Sequence, residues 1–203
     1  MPVEVISYML ADMDVLRRLQ FQLILQCAPF LKGLKAASVI SIAQEDLGEL
    51  KEALAGTEIE YKILAVRKRR CLVLFFRREA FKIYLERADI REFLALYGYE
   101  YAGEAADADR ILQRLSARMC RYSKKEQERP EFPHEIGAFL DYPLEDVKGF
   151  IENGGRGCLL TGYWKVYSNP GRAQMTFLVY DKAKTSAVNE FLSGRNIREI
   201  AYA

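Results

Sequence analysis

Ile59-Glu60-Tyr61-Lys62-Ile63-Leu64-Ala65-Val66, then Arg67-Lys68-Arg69-Arg70, then Cys71-Leu72-Val73-Leu74-Phe75-Phe76 is the stretch on which the fold turns. Two β-branched and aromatic runs joined by a short charged segment predict an antiparallel hairpin. The second run is apolar at almost every position, which predicts a strand covered on both faces.

Working outward, Ala37 to Ile42 is a further strand-like run. Between it and the hairpin, Leu47, Leu50 and Leu54 repeat at helical spacing. Glu45 and Asp46 fall in the first turn, where the helix dipole favours acids, and Gly56 closes the helix. Upstream, Leu16, Leu19, Leu23 and Cys27, widened by Phe21, Ile24, Leu25 and Ala28, predict a helix buried on more than one face and stopped by Pro29. Downstream, helices are expected around 78–87 and 89–97, ending at Gly98. Ile111, Leu112, Leu115 and Met119 mark an amphipathic helix from about 107 to 121.

Residues 121–131, charged and closed by prolines, read as a hinge between an N-terminal α/β unit and the rest. Beyond it, Pro133 and Pro143 fit the first position of two helical turns, where a missing N–H costs nothing. Trp164-Lys165-Val166-Tyr167 reads as an aromatic strand returning to the sheet. Asn169-Pro170 caps a helix that runs to about 180 and continues or restarts to Leu192, ending at Gly194. Ile197 to Tyr202 is read as an edge strand. The expectation is a single α+β domain over 1–203, with a small mixed sheet of about four to five strands packed by helices.

At 203 residues, half of them hydrophobic and with a net charge of +2, the chain has the composition of a soluble globule. A chain this long buries roughly 70% of its unfolded surface and needs no staple. Cys27, Cys71, Cys120 and Cys158 form no Cys-x-x-Cys pair and read as reduced thiols, so a cytoplasmic location is expected. Apolar runs stop well short of the ~20 residues a membrane helix needs. The near-balanced charge argues against nucleic acid, and Arg67-Lys68-Arg69-Arg70, with Arg77 and Arg78 beyond, reads as a solvated hairpin tip.

The chemistry-bearing residues concentrate between 132 and 167, which hold the only histidine and the only tryptophan. His134 and Glu135 are acid/base candidates, since a helix start and an adjacent carboxylate pull the imidazole in opposite directions. Cys27 is the candidate nucleophile to pair with them, although a helix C-terminus raises a thiol rather than activating it. The alternative makes Cys27 a small apolar packer and His134 a loop tie. Ala138 stands where a zincin helix needs its second histidine, so no metal is expected. Gly154-Gly155-Arg156-Gly157 closes a helix and leads into a strand, the reverse of a phosphate loop. Tyr142, Lys148, Trp164, Lys165 and Tyr167 are candidate ligand-binding residues, and Tyr97, Tyr99 and Tyr101 alternate as a groove lining or half-buried edge. No cofactor is implied.

Several motifs resemble an uncharacterised bacterial domain-of-unknown-function family found in anaerobic Gram-positive bacteria. They are Gln26-Cys27-Ala28-Pro29 with Gly33-Leu34-Lys35, Phe132-Pro133-His134-Glu135-Ile136-Gly137, Tyr142-Pro143 with Glu145-Asp146-Val147-Lys148-Gly149-Phe150-Ile151, and Trp164-Lys165-Val166-Tyr167. The chain departs at Asp141, where the pattern has glycine, and at Ala36, where it has proline. Those departures weaken the case that the loop geometry there is critical. The resemblance implies one unit over nearly the whole chain and brings no activity with it. The reading is therefore a non-catalytic binding or regulatory module, for a small molecule or protein segment, with a groove near His134 and Trp164. The alternative is a hydrolase or transferase using Cys27 or a carboxylate with His134-Glu135. Oligomeric state is not legible.

Overall fold

The computed structural model describes residues 13–101, 107–124 and 132–201. Its centre is a three-stranded antiparallel sheet of β1 (Ala37–Ala43), β2 (Ile59–Arg67) and β3 (Arg70–Arg77), in the order β1-β3-β2. The predicted hairpin is present, and β3 lies in the middle, which is why nearly every residue in it is apolar. Lys68 and Arg69 turn the hairpin with φ of +48° and +62°. Two positive values fit a type I′ turn, whose twist matches the strands. Neither residue is the glycine or asparagine that usually takes this conformation. The ladder and a 2.8 Å bond from the Gln44 N–H to the Arg69 carbonyl hold them there.

The expected mixed sheet is corrected: among the described residues every pairing is antiparallel. β1 and β2 do run parallel, linked by α2 (Leu47–Leu54), but β3 inserts between them. The register of β2 slips between Ile63 and Ala65. The carbonyls of Ile63 and Leu64 at this bulge are met by the Ser116 hydroxyl at 3.3 and 3.1 Å.

Alternation along β3 divides the core. Cys71, Val73 and Phe75 face α1 (Val15–Leu31) and α2, while Leu74 and Phe76 face α3 (Arg78–Leu85), α4 (Ala88–Ala95) and α5 (Ala108–Lys124). Pro29 does not stop α1; the helix runs two residues past it. In the last turn a proline forfeits only one intrahelical bond before the end. Closure comes from Gly33, with φ +72°, whose N–H bonds the Phe30 carbonyl at 3.0 Å while that of Leu34 bonds Pro29 at 2.8 Å.

The C-terminal part carries α6 (Ile136–Phe139), α7 (Leu144–Glu152), a separate two-stranded hairpin β4 (Leu160–Thr161) with β5 (Lys165–Val166), α8 (Pro170–Leu192) and α9 (Ile197–Ile200). The aromatic strand thus does not return to the main sheet. Among the described residues β5 pairs with β4 alone, and Trp164 sits in the turn before it. The expected edge strand at 197–202 is a helical turn over 197–200, because Asn196 and Glu199 form a reciprocal capping box. Pro143 occupies the cap of α7 rather than its first turn. Asn169 caps α8 by accepting from the Arg172 N–H at 3.0 Å, and the helix is continuous to Leu192. α8 spans two cores: Ala187 and Phe191 pack on α1, and Ala173 and Tyr180 pack with Trp164 and Val166. Of the proposed hinge, residues 121–124 extend α5 and residues 125–131 lie outside the described part.

Asp141 adopts φ +59°, a left-handed conformation natural to the glycine of the resembled pattern and tolerated by aspartate. Its carboxylate accepts from the Ala36 N–H at 3.2 Å, a donor that proline would lack. The two departures from the pattern therefore meet in one hydrogen bond.

Candidate functional site

The site begins with α7. Asp146, one position from the solvent-facing Glu145, points inward and is 3% exposed. Its Oδ2 accepts from the Trp164 indole Nε1 at 2.8 Å. Its Oδ1 accepts from the Tyr167 N–H, the Ser168 N–H and the Ser168 hydroxyl, each at 2.8 Å. Burial alone would push this carboxyl up; the hydrogen bonds outweigh it and hold Asp146 below the usual carboxylate range. One carboxylate thus fastens the β4–β5 hairpin to α7. The approach is close: a Cβ on Gly149 would lie 2.6 Å from the Tyr167 Cβ, so the helix needs glycine there.

Fastening the hairpin creates a cavity of about 230 Å³. One wall is the run Phe132, His134 and Phe150, in tilted contact with centroids 5.0 Å apart, backed edge-on by Tyr122 at one end and Tyr167 at the other. The other is Tyr142 stacked on Trp164 at 5.3 Å, with Phe177 edge-on to the indole at 4.6 Å. The floor is aliphatic, from Ile136, Leu140 and Val147 beside Gly137. Lys165 also lines the cavity; its Nζ donates to the Gly155 carbonyl at 2.7 Å and lies 5.7 Å from the Phe150 ring centre. Among the described residues the His134 ring nitrogens make no hydrogen bond, so the imidazole is held by its faces.

Of the sequence-derived candidates, His134, Tyr142, Trp164 and Lys165 converge on this cavity. Tyr167 packs behind it against Gly149 and Phe150, and Lys148 is exposed on α7. Glu135 faces away from the cavity. It is 1% exposed, accepts from the Tyr99 hydroxyl at 2.9 Å and forms an ion pair with Arg118, linking α6 to α5. Cys27 lies in the core on the α1 side of the sheet, with Ser38 and Lys35 as its polar neighbours. Burial pushes its thiol up to about 11. That is the reverse of an activated nucleophile.

Lys35 carries a signal that composition and spacing do not display. Burial lowers it from 10.5 to about 8, against the opposing pull of Cys27 and Asp141. Its Nζ lies 4.9 Å over the Tyr142 ring, on which Trp164 also stacks. Tyr97, Tyr99 and Tyr101 are each overlaid by an arginine, from Arg118, Arg114 and Arg91 respectively. They form a strapped edge. Arg77 and Arg78 do not join the 67–70 cluster: Arg77 caps the Phe30 and Leu31 carbonyls, and Arg78 pairs with Glu60 and Asp109. Among the described residues no group of three or more histidine, cysteine or acidic side chains is placed to hold a metal. No helix among them is long and apolar enough to cross a membrane.

A family model described as a protein of unknown function (DUF3793) matches residues 23–201. The chain belongs to that family. The matched span holds Lys35, both aromatic walls and the Asp146 lock, so these are features of a DUF3793 domain rather than of an added segment. Searches of curated proteins and of solved structures return no match.

Proposed function

We propose that this DUF3793 protein is a non-catalytic binding or regulatory module whose ligand is a small apolar group seated between the two aromatic walls. The observation that carries this reading is the cavity itself: about 230 Å³, walled by rings and floored by aliphatic side chains, with His134 and Lys165 as its polar handles. Ligand sites have this make-up, mostly apolar with a few placed polar groups. The volume lies below the roughly 300–1,000 Å³ common for such sites, so a single ring or branched chain fits better than a nucleotide. The hydrolase or transferase alternative draws less support, because Cys27 is buried in a different core and its thiol is pushed up. Residues 1–203 acting as one unit, and a bacterial cytoplasmic setting for the free cysteines, belong to the same reading.

A fragment screen by NMR tests it. The sole tryptophan gives one indole Nε1–H resonance and the sole histidine one ring pair. Ring-sized fragments of either charge should move both reporters together and saturably. If no fragment moves either, the cavity is packing and the reading fails.

A further inference from the structure

The polar groups of the cavity discriminate between ligand charges. Asp146 is already answered: four donors converge on its two oxygens, three of them on Oδ1, and its side chain is sealed from solvent. A carboxylate offers about four lone-pair positions, so little acceptor capacity remains for a cationic ligand. Lys165 is the opposite case. It is exposed, and its ammonium donates to the Gly155 carbonyl; among the described residues no carboxylate pairs with it. His134 brings a second unanswered group, since its ring nitrogens have no bonding partner among the described residues. Both groups flank the same Phe150 ring, His134 with its centroid at 5.0 Å and Lys165 Nζ at 5.7 Å. Both also line the one cavity, so a head group beside Phe150 would have both for neighbours.

Building on the pocket reading, we propose that the ligand is a small monocarboxylate with an aryl or branched acyl body. The body lies between Trp164 and Phe150, over Ile136 and Val147. The carboxylate takes the Lys165 ammonium, with a second hydrogen bond from His134. Charge-assisted bonds of this kind are about twice as strong as neutral ones, so the head group sets the selectivity.

The test is calorimetric titration of the full-length protein with three ligands that share one body: 3-phenylpropanoate, 3-phenylpropan-1-ol and 3-phenylpropylamine. The carboxylate should bind about tenfold tighter than the alcohol, and the amine weakest, the difference one charged hydrogen bond makes. Lys165→Met should bring the carboxylate down to the level of the alcohol, and Lys165→Arg should restore most of the gap. Because Lys165 is at the surface, a circular dichroism spectrum like that of the wild type is expected for both variants. Equal binding of all three ligands, or tightest binding by the amine, overturns the carboxylate assignment and leaves the pocket standing. Binding by none of the three also overturns the assignment. The fragment screen on the Trp164 and His134 resonances then says independently whether the pocket reading falls with it.

Discussion

The indole Nε1 of Trp164 donates to Asp146 Oδ2 at 2.8 Å in a place neither residue shares with solvent, and this bond joins a helix to a hairpin that pairs with no other strand among the described residues. A two-stranded hairpin is not stable on its own in water. The β4–β5 hairpin is held by Asp146 and by the aromatic contacts of Trp164 with Tyr142 and Phe177, and the cavity wall stands or falls with it.

Asp146→Asn should therefore cost about 2–4 kcal/mol in urea unfolding, as one amide oxygen cannot replace a carboxylate serving four donors. The pH dependence follows from the same bonds. The folded carboxyl sits below its unfolded value, so its contribution is full above the ordinary carboxylate range and is lost as pH falls through the lower, folded value. The variant should show a flatter acid limb than the wild type. A stability change under about 0.5 kcal/mol would place the lock elsewhere.

Gly149→Ala should destabilise by about 1–3 kcal/mol, the usual cost of overpacking, since the new Cβ would stand 2.6 Å from that of Tyr167. In a Tyr167→Gly background, which removes the opposing Cβ, the same substitution should cost less than it does in the wild type. Additive losses in the double-mutant cycle would mean that the two positions do not touch.

Replacing Lys68-Arg69 by Asn-Gly should raise stability by about 0.5–2 kcal/mol, because both positions hold positive φ, which asparagine and glycine adopt with less strain. Thermal melts check this, with the binding of any pocket ligand unchanged. A lower melting temperature would mean that the basic side chains themselves secure the turn.

Much of the main sheet was legible in the sequence, because strand alternation and the Leu47–Leu50–Leu54 spacing are local signals. The site was legible as a region and not as a mechanism. His134 and Trp164 drew notice by rarity, and the structure brings both to the cavity. Asp146 stands out by neither rarity nor spacing, because nothing local says that its side chain turns inward to a hairpin some twenty residues on. The sheet order was not legible for a related reason: β1 and β2 run parallel, and only tertiary pairing reveals β3 between them. Asp141 and Ala36, over a hundred residues apart, could be paired only by seeing their bond.

Lys35→Met should stabilise the protein at pH 7, by about 1–3 kcal/mol, since a half-buried ammonium gives way to an apolar side chain of similar length. The sign against pH is set by the lowered value. Between about 8 and 10.5 the unfolded chain binds more protons at this site, so the wild type gains stability as pH rises there, and the advantage of the variant shrinks. Cys27, raised from 9 to about 11, acts in the opposite direction above pH 9, so pH 8–9 is the cleanest window. Urea midpoints of the two proteins across that window check it. An advantage independent of pH would mean that Lys35 titrates normally.

The most direct test of the pocket is the fluorescence of Trp164, the sole tryptophan, during titration with 3-phenylpropanoate. It should be run on the wild type and on Ile136→Phe, which fills the cavity floor. The account predicts a saturable change in the wild type that disappears in a folded Ile136→Phe protein. A wild-type signal that does not move, or one that survives the filled cavity unchanged, would contradict it.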